Sequence, residues 1–299
     1  PDNGNIIPVA EKSAEIYKKS KIFVLKAKSV GDGYSALSAL DLSSFDTSNV
    51  TYMVSMFKGC SKLASLDLSG FDTSSVTSMT AMFAECSSLS ALDLSGFNTS
   101  QVTDMSNLFS FCSSLASLDL SGLDTSEVED MTHMFLRCSE LTTLDLTSFD
   151  TSMAESMDYM FYGCSSLKSV SLSQKFSFTG RGITRQCKLP EPLEKKGYTG
   201  LWVSATDGAV YTPDEIPNYT AATYTAQIAF PDVDYTDWYG SSVSFVSAKG
   251  LITGYSDGEK AGFFGVGDLL TRAQFATILW RNACPDEAAA YDPAAAKDT

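Results

Sequence analysis

The triplet Leu40-Asp41-Leu42 recurs as Leu66-Asp67-Leu68, Leu92-Asp93-Leu94, Leu118-Asp119-Leu120 and Leu144-Asp145-Leu146, then in degenerate form as Val170-Ser171-Leu172, always at a step of 26 residues. A fixed period of this size confines a chain to architectures in which one supersecondary unit is repeated and stacked. The same register holds Val50, Val76, Val102, Val128 and Ala154, then Met53, Met79, Met105, Met131 and Met157. Phe57, Phe83, Phe109, Phe135 and Phe161 follow, each three positions before a cysteine. The Leu-x-Leu pair has period two, which predicts a short strand with both leucines on one side and the aspartate on the other. Val50, Met53, Met56 and Phe57 have helical spacing and predict a short helix across the far side of the core, ended by Gly59 or its equivalent in two of the repeats.

A lone repeat buries too little apolar surface to offset the ordering of its own backbone, so the copies must stack and must be capped at both ends. One cap is expected in residues 1–39, around Lys21-Ile22-Phe23-Val24-Leu25. The other is expected in residues 173–218, where Leu201-Trp202-Val203 and Ala209-Val210-Tyr211 flank Asp207-Gly208 as a hairpin with a two-residue turn. Thr212-Pro213-Asp214-Glu215 reads as a helix start with a capping box.

The formal charge of −15 is concentrated in the repeats: residues 36–172 carry 4 Lys+Arg against 17 Asp+Glu. Such a surface repels phosphate, which argues against nucleic acid and anionic lipid as partners. No apolar stretch is long enough for membrane insertion.

The string Leu-Asp-Leu-Ser-Gly-Phe-Asp-Thr-Ser, followed by Val-Thr-x-Met-x-x-Met-Phe and Cys-Ser-x-Leu, resembles the BspA-like leucine-rich-repeat surface proteins of bacteria. The expected fold class is thus α/β: a leucine-rich-repeat-like solenoid over residues 40–172, with a parallel sheet on one face and short helices on the other. The resemblance implies an extracellular protein at the cell surface or cell wall, associated with adhesion or the binding of a host or microbial surface protein. It implies no catalytic residues and no cofactor.

Two acidic ladders run along the repeats. Asp41, Asp67, Asp93, Asp119 and Asp145 belong to the strands, where stacked like charges repel; either cations or a basic ligand neutralise them, or they form a solvated face that opposes aggregation. Asp46, Asp72, Asn98, Asp124 and Asp150 form the second, and the uncharged Asn98 favours a turn or capping hydrogen bond over metal binding. No metal site is expected. Cys60, Cys86, Cys112, Cys138 and Cys164 share one register; parallel side chains suit buried free thiols better than disulfides, and the pairing of Cys187 and Cys284 is open. His133 is the only histidine, with no nucleophile motif beside it.

Strand positions are nearly uniform, whereas two positions on the expected helical side vary: Ser55, Ala81, Asn107, His133, Tyr159, and Lys58, Ala84, Ser110, Leu136, Tyr162. A selective partner surface is therefore expected near Leu136, Tyr159 and Tyr162, the alternative being variation on a solvated face.

Residues 219–229 read as a linker, after which the pattern changes. Phe230-Pro231-Asp232-Val233, Asp237-Trp238-Tyr239, a helical segment closing at Lys249-Gly250, and Thr271-Arg272-Ala273-Gln274 together resemble an S-layer homology motif over residues 230–284. The resemblance implies a small helical module that attaches to pyruvylated cell-wall polysaccharide, usually in three tandem copies; residues 285–299 would be a tail or a spacer to a further copy. The family's Thr-Arg-Ala-Glu appears here with Gln274, and Thr271 with Gln274 retains a Thr-x-x-Gln capping box. By resemblance Arg272 contacts the wall polymer, at a helix N-terminus suited to a carboxylate. Trp238 is a second such candidate, with packing into the core as its alternative. The sequence therefore points to a non-catalytic, wall-attached surface protein with an adhesive or protein-binding array, or to a structural stalk without a specific ligand.

Overall fold

The computed structural model describes residues 38–43, 45–181, 187–193, 197–256, 261 and 263–265. The cap expected around residues 21–25, Arg272, the Thr271 to Gln274 box and Cys284 lie outside the described residues. The chain divides into two compact units, Pro1–Pro192 with Thr212–Tyr224, and Leu193–Tyr211 with Thr225–Thr299.

In the first unit the last four of the six triplets form strands; residues 40–42 and 66–68, expected as strands too, form none. Strands β1 (Ala91–Asp93) and β2 (Ser117–Asp119) are parallel, with Leu92 opposite Leu118. Strands β3 (Thr143–Leu146) and β4 (Ser169–Leu172) are also parallel, with Leu144 opposite Val170 and Leu146 opposite Leu172. Each partner is one period away, so every copy repeats its neighbour's contacts. Period-two alternation places Leu144 and Leu146 inside and Thr143 and Asp145 outside.

The other side of each copy corrects the sequence reading. Among the described residues of the repeats there is no helix; the Val-Met-Met-Phe segments are runs of turns. The amides of Met53, Ser55, Phe57 and Gly59 donate to the next copy, at Ser78, Thr80, Met82 and Ala84 carbonyls 2.8–2.9 Å away. Those of Met56, Lys58 and Cys60 instead close turns within the copy, on Met53, Ser55 and Phe57. Beyond its first turn a helix keeps its amides to itself; here alternate amides bind copy to copy, as in a parallel sheet. The backbone achieves this by entering the left-handed region twice per copy. Ser55, Ala81, Asn107, His133 and Tyr159 do so at φ 54–59°, and Gly59, Glu85, Phe111, Arg137 and Gly163 at φ 58–79°. The two glycines therefore occupy the left-handed position expected of them, but as turn residues.

The core between the two sides is a set of columns. Phe57, Phe83, Phe109, Phe135 and Phe161 stack with centroids 5.6–5.9 Å apart, and Phe176 closes the column against Phe161 at 6.5 Å. The cysteine column is buried and free, as expected. Each of its last four thiols donates to the phenylalanine carbonyl of the previous copy, for example Cys112 Sγ to Phe83 O at 3.0 Å.

Residues 173–192 and 212–224 belong to this unit. Thr212 and Glu215 form one half of the expected capping box, the Thr212 N–H and hydroxyl both donating to Glu215 Oε2. No helix follows, because Pro217 supplies no amide and biases Ile216 away from helical geometry.

The second unit contains β5 (Tyr198–Ser204) and β6 (Val210–Tyr211), antiparallel with Trp202 opposite Tyr211. The hairpin is the expected one, but its turn is wider: Ser204 N–H pairs with Ala209 O, leaving residues 205–208 as the loop. The stretch expected as a linker is instead strand β7 (Ala222–Ile228), which begins in the first unit and continues in this one. Its alternating Thr, Tyr and Gln side chains fit a half-buried pleat, and Tyr224 is fully buried. Helix α1 (Gly240–Ala248) ends at Lys249, with Gly250 left-handed beyond it.

Candidate functional site

Each strand-side aspartate engages one carboxylate oxygen in its own turn. Oδ1 of Asp41, Asp67, Asp93, Asp119 and Asp145 accepts the N–H two residues ahead, from Ser43, Ser69, Ser95, Ser121 and Thr147, at 2.9–3.0 Å. Those hydrogen bonds hold the Asp41, Asp67, Asp93 and Asp119 carboxyls below the usual aspartate range, and for Asp93 they outweigh the opposing charge of Asp119. The second ladder repeats this turn at Ser48, Ser74, Ser100, Ser126 and Ser152, where Asn98 Oδ1 accepts just as the aspartates do. Asparagine keeps the acceptor and loses the charge, so at this ladder the hydrogen bond is what the position requires. Among the described residues no group of three or more His, Cys, Asp or Glu is placed to hold a metal.

A ladder that the sequence reading passed over joins the copies between these aspartates. Thr47, Thr73, Thr99, Thr125 and Thr151 are all buried. Thr99 Oγ1 donates to Asp124 O and accepts from Asp124 N–H, both at 2.8 Å. Thr47, Thr73 and Thr125 repeat the pattern on the copy that follows each. The signal was present as an unbroken Asx-Thr-Ser string; the double hydrogen bond that explains it requires the stacked geometry.

Exposed aromatic side chains cluster on the turn side of the fifth copy; Tyr52 in the first copy and Tyr219 beyond the repeats are exposed as well. Tyr159 is 38% and Tyr162 58% exposed, while Leu136 is half-buried. His133 stacks on Tyr159 at 5.6 Å, and Tyr162 meets Tyr159 edge-on at 5.8 Å. One copy earlier, exposed Phe111 carries the Arg137 guanidinium at 5.5 Å from its ring centroid. Leu136, Tyr159 and Tyr162 therefore lie on one run of turns in adjoining copies. His133, Phe111 and Arg137 join them because left-handed positions four residues apart recur in every copy.

In the second unit the loop around α1 is built on Asp232. Its two carboxylate oxygens accept the amides of Phe264 and Gly265, each at 2.7 Å. The Tyr235 hydroxyl donates to Ile228 O and accepts the Phe230 amide. Gly254 has φ 77°, and a Cβ there would meet Phe263 O at 2.6 Å, so this close approach needs glycine. Trp238 is not in the core: it is 85% exposed, touching Tyr239 edge-on at 5.6 Å. A side chain of that size left in solvent beside a rigidly tied loop is free to contact a ligand.

Comparison with known protein families agrees with this division. The family described as "Mycoplasma protein of unknown function, DUF285" matches residues 24–92 and 89–177, and the S-layer homology domain matches residues 229–276. No curated protein and no solved structure matches the chain. S-layer homology domains generally bind secondary polymers of the cell wall, which associates a chain carrying one with the cell surface. Among the described residues, no helix is long and apolar enough to cross a membrane.

Proposed function

Because the chain belongs to the DUF285 family, whose two matches together span more than half of it, and also carries an S-layer homology domain, we propose that it is a non-catalytic, BspA-like surface protein of bacteria. In this reading residues 40–172 are a leucine-rich-repeat-like solenoid that displays a protein-binding or adhesive surface. The S-layer homology module attaches it to pyruvylated cell-wall polysaccharide. The observation that carries the reading is the repeat itself: its recurring residues serve the scaffold, buried Phe, Cys and Thr columns joining the copies and Asp closing the turns within them, while exposed aromatic side chains cluster on the turn side near Leu136, Tyr159 and Tyr162.

Attachment is tested by co-sedimentation of the full chain with purified cell walls before and after chemical removal of the pyruvylated polymer. Retention should be lost with the polymer, and retention that survives its removal overturns the anchoring role. Arg272→Ala and Trp238→Ala, made in an array of three motifs, should each weaken retention. One observation favours a second reading, a stalk without a specific ligand: every aspartate of the strand-side ladder uses one carboxylate oxygen to close its own turn. Saturable binding of a defined host or microbial protein supports the first reading, and its absence across a broad panel supports the stalk.

A further inference from the structure

The five turn segments are built alike but charged differently. Residues 49–62 carry Lys58 and Lys62, whereas residues 127–140 carry four acidic residues against Arg137, and residues 153–166 carry Glu155 and Asp158. The acidic end also holds an aromatic cluster, His133, Tyr159 and Tyr162, whereas the basic end exposes a single aromatic ring, Tyr52. Glu129 and Glu155 are exposed and lie in register on adjoining copies, the Glu155 amide donating to Glu129 O at 2.7 Å. The unit's ion pairs among the described residues are Lys58–Glu85, Lys175–Asp150 and Lys188–Asp214, and none engages either glutamate.

Exposed aromatic rings together with free carboxylates are the chemical complement of a cation. The same surface already holds one in this way, the Arg137 guanidinium over Phe111. We infer that the turn side of the fourth and fifth repeats docks a basic polypeptide segment, whose Lys or Arg side chains lie on Tyr159 and Tyr162 and pair with Glu129 and Glu155. The inference rests on the protein-binding reading above and adds the class of partner. A neutral or acidic segment would cover these carboxylates without pairing them, which costs free energy.

The repeat supplies its own control substitutions. Tyr159→Asn with Tyr162→Ser installs the side chains that the third copy carries as Asn107 and Ser110, and asparagine tolerates the left-handed backbone at position 159. Glu129→Thr with Glu155→Thr follows Thr103 in the same way. Asp67→Asn with Asp93→Asn removes the same charge from the strand side. Binding to the full chain is measured by fluorescence anisotropy with a short alternating Arg-Ser peptide, its Gln-Ser and Glu-Ser counterparts and a neutral oligosaccharide, each variant being checked by its thermal melt.

The tyrosine pair should weaken Arg-Ser binding by about tenfold, the glutamate pair severalfold, and the aspartate pair not at all. Equal losses from both acidic pairs, or no loss from the tyrosine pair, would reduce the effect to the general field of an acidic protein and overturn the inference. Tyrosine-dependent binding of the Gln-Ser or Glu-Ser peptide overturns the basic partner but leaves the protein-binding reading standing. Tyrosine-dependent binding of the oligosaccharide alone overturns both.

Discussion

At Thr99 one hydroxyl satisfies the amide and the carbonyl of Asp124 in the next copy, in a position that is almost fully buried. Thr99→Val keeps the shape but removes the hydroxyl and leaves the Asp124 amide and carbonyl without it, so it should destabilise the protein by about 1–3 kcal/mol. Thr99→Ser retains the hydroxyl and loses a methyl, at a cost of about 1 kcal/mol. Chemical denaturation measures both, and equal stability of the valine variant and the parent would show that the ladder contributes nothing. The role of Asn98 was legible without coordinates, because a repeat that tolerates Asn for Asp exposes its need for an acceptor. That of Thr99 was not, since a hydrogen bond spanning 25 positions of chain depends on how tightly the copies stack.

The strands of the later copies were readable from their leucines, although the same triplets at residues 40–42 and 66–68 form no strand, and the turn segments misled. Apolar residues at the spacing of Val50, Met53, Met56 and Phe57 face one side of a helix, and they do so equally on consecutive three-residue turns. What separates the two is the sign of φ at the intervening residues. Only Gly59, Gly163 and Asn107 hinted at it, since the other left-handed positions hold side chains such as Glu85, Arg137 and Tyr159. Those residues pay a conformational penalty that neighbouring copies impose. Glu85, at φ 65°, occupies the position of Gly59 and Gly163, is exposed, and makes only a surface ion pair with Lys58 at 3.5 Å. Glu85→Gly should therefore stabilise the protein by roughly 0.5–1 kcal/mol, the relief of strain exceeding the added freedom of the unfolded chain. Glu85→Ile should destabilise it by about 1–3 kcal/mol, because a β-branched residue is a worse occupant of this backbone. Melting temperatures that move in the opposite order would contradict the turn geometry.

For the whole molecule, the aspartate turns and the thiol column set opposite limits of pH. Asp41, Asp67, Asp93 and Asp119 titrate below their unfolded values because they accept hydrogen bonds. Near and below pH 4 the unfolded chain thus binds more protons, so their contribution is complete above about pH 4 and is lost on further acidification. Burial acts in the other direction on the thiols, raising Cys60 to about 11 and Cys112 and Cys164 to about 12, with Cys86 and Cys138 also raised. A raised thiol contributes fully below its unfolded value of about 8.5, and the contribution is lost as pH climbs toward the folded value. Thermal melts should accordingly show a plateau between about pH 4 and 8.5 with a decline on either side. Half-buried Tyr235 is raised too and acts in the same alkaline direction, so the thiols are isolated by substitution. Cys112→Ser with Cys138→Ser keeps a donor for the Phe83 and Phe109 carbonyls but removes two titrating groups. The variant's plateau is set by packing, whereas the steepness of its alkaline limb reports the thiols; an unchanged slope would remove the cysteine column from the account of stability. Asp67→Asn with Asp93→Asn should flatten the acid limb alone, because asparagine preserves the turn, as Asn98 does on the neighbouring ladder.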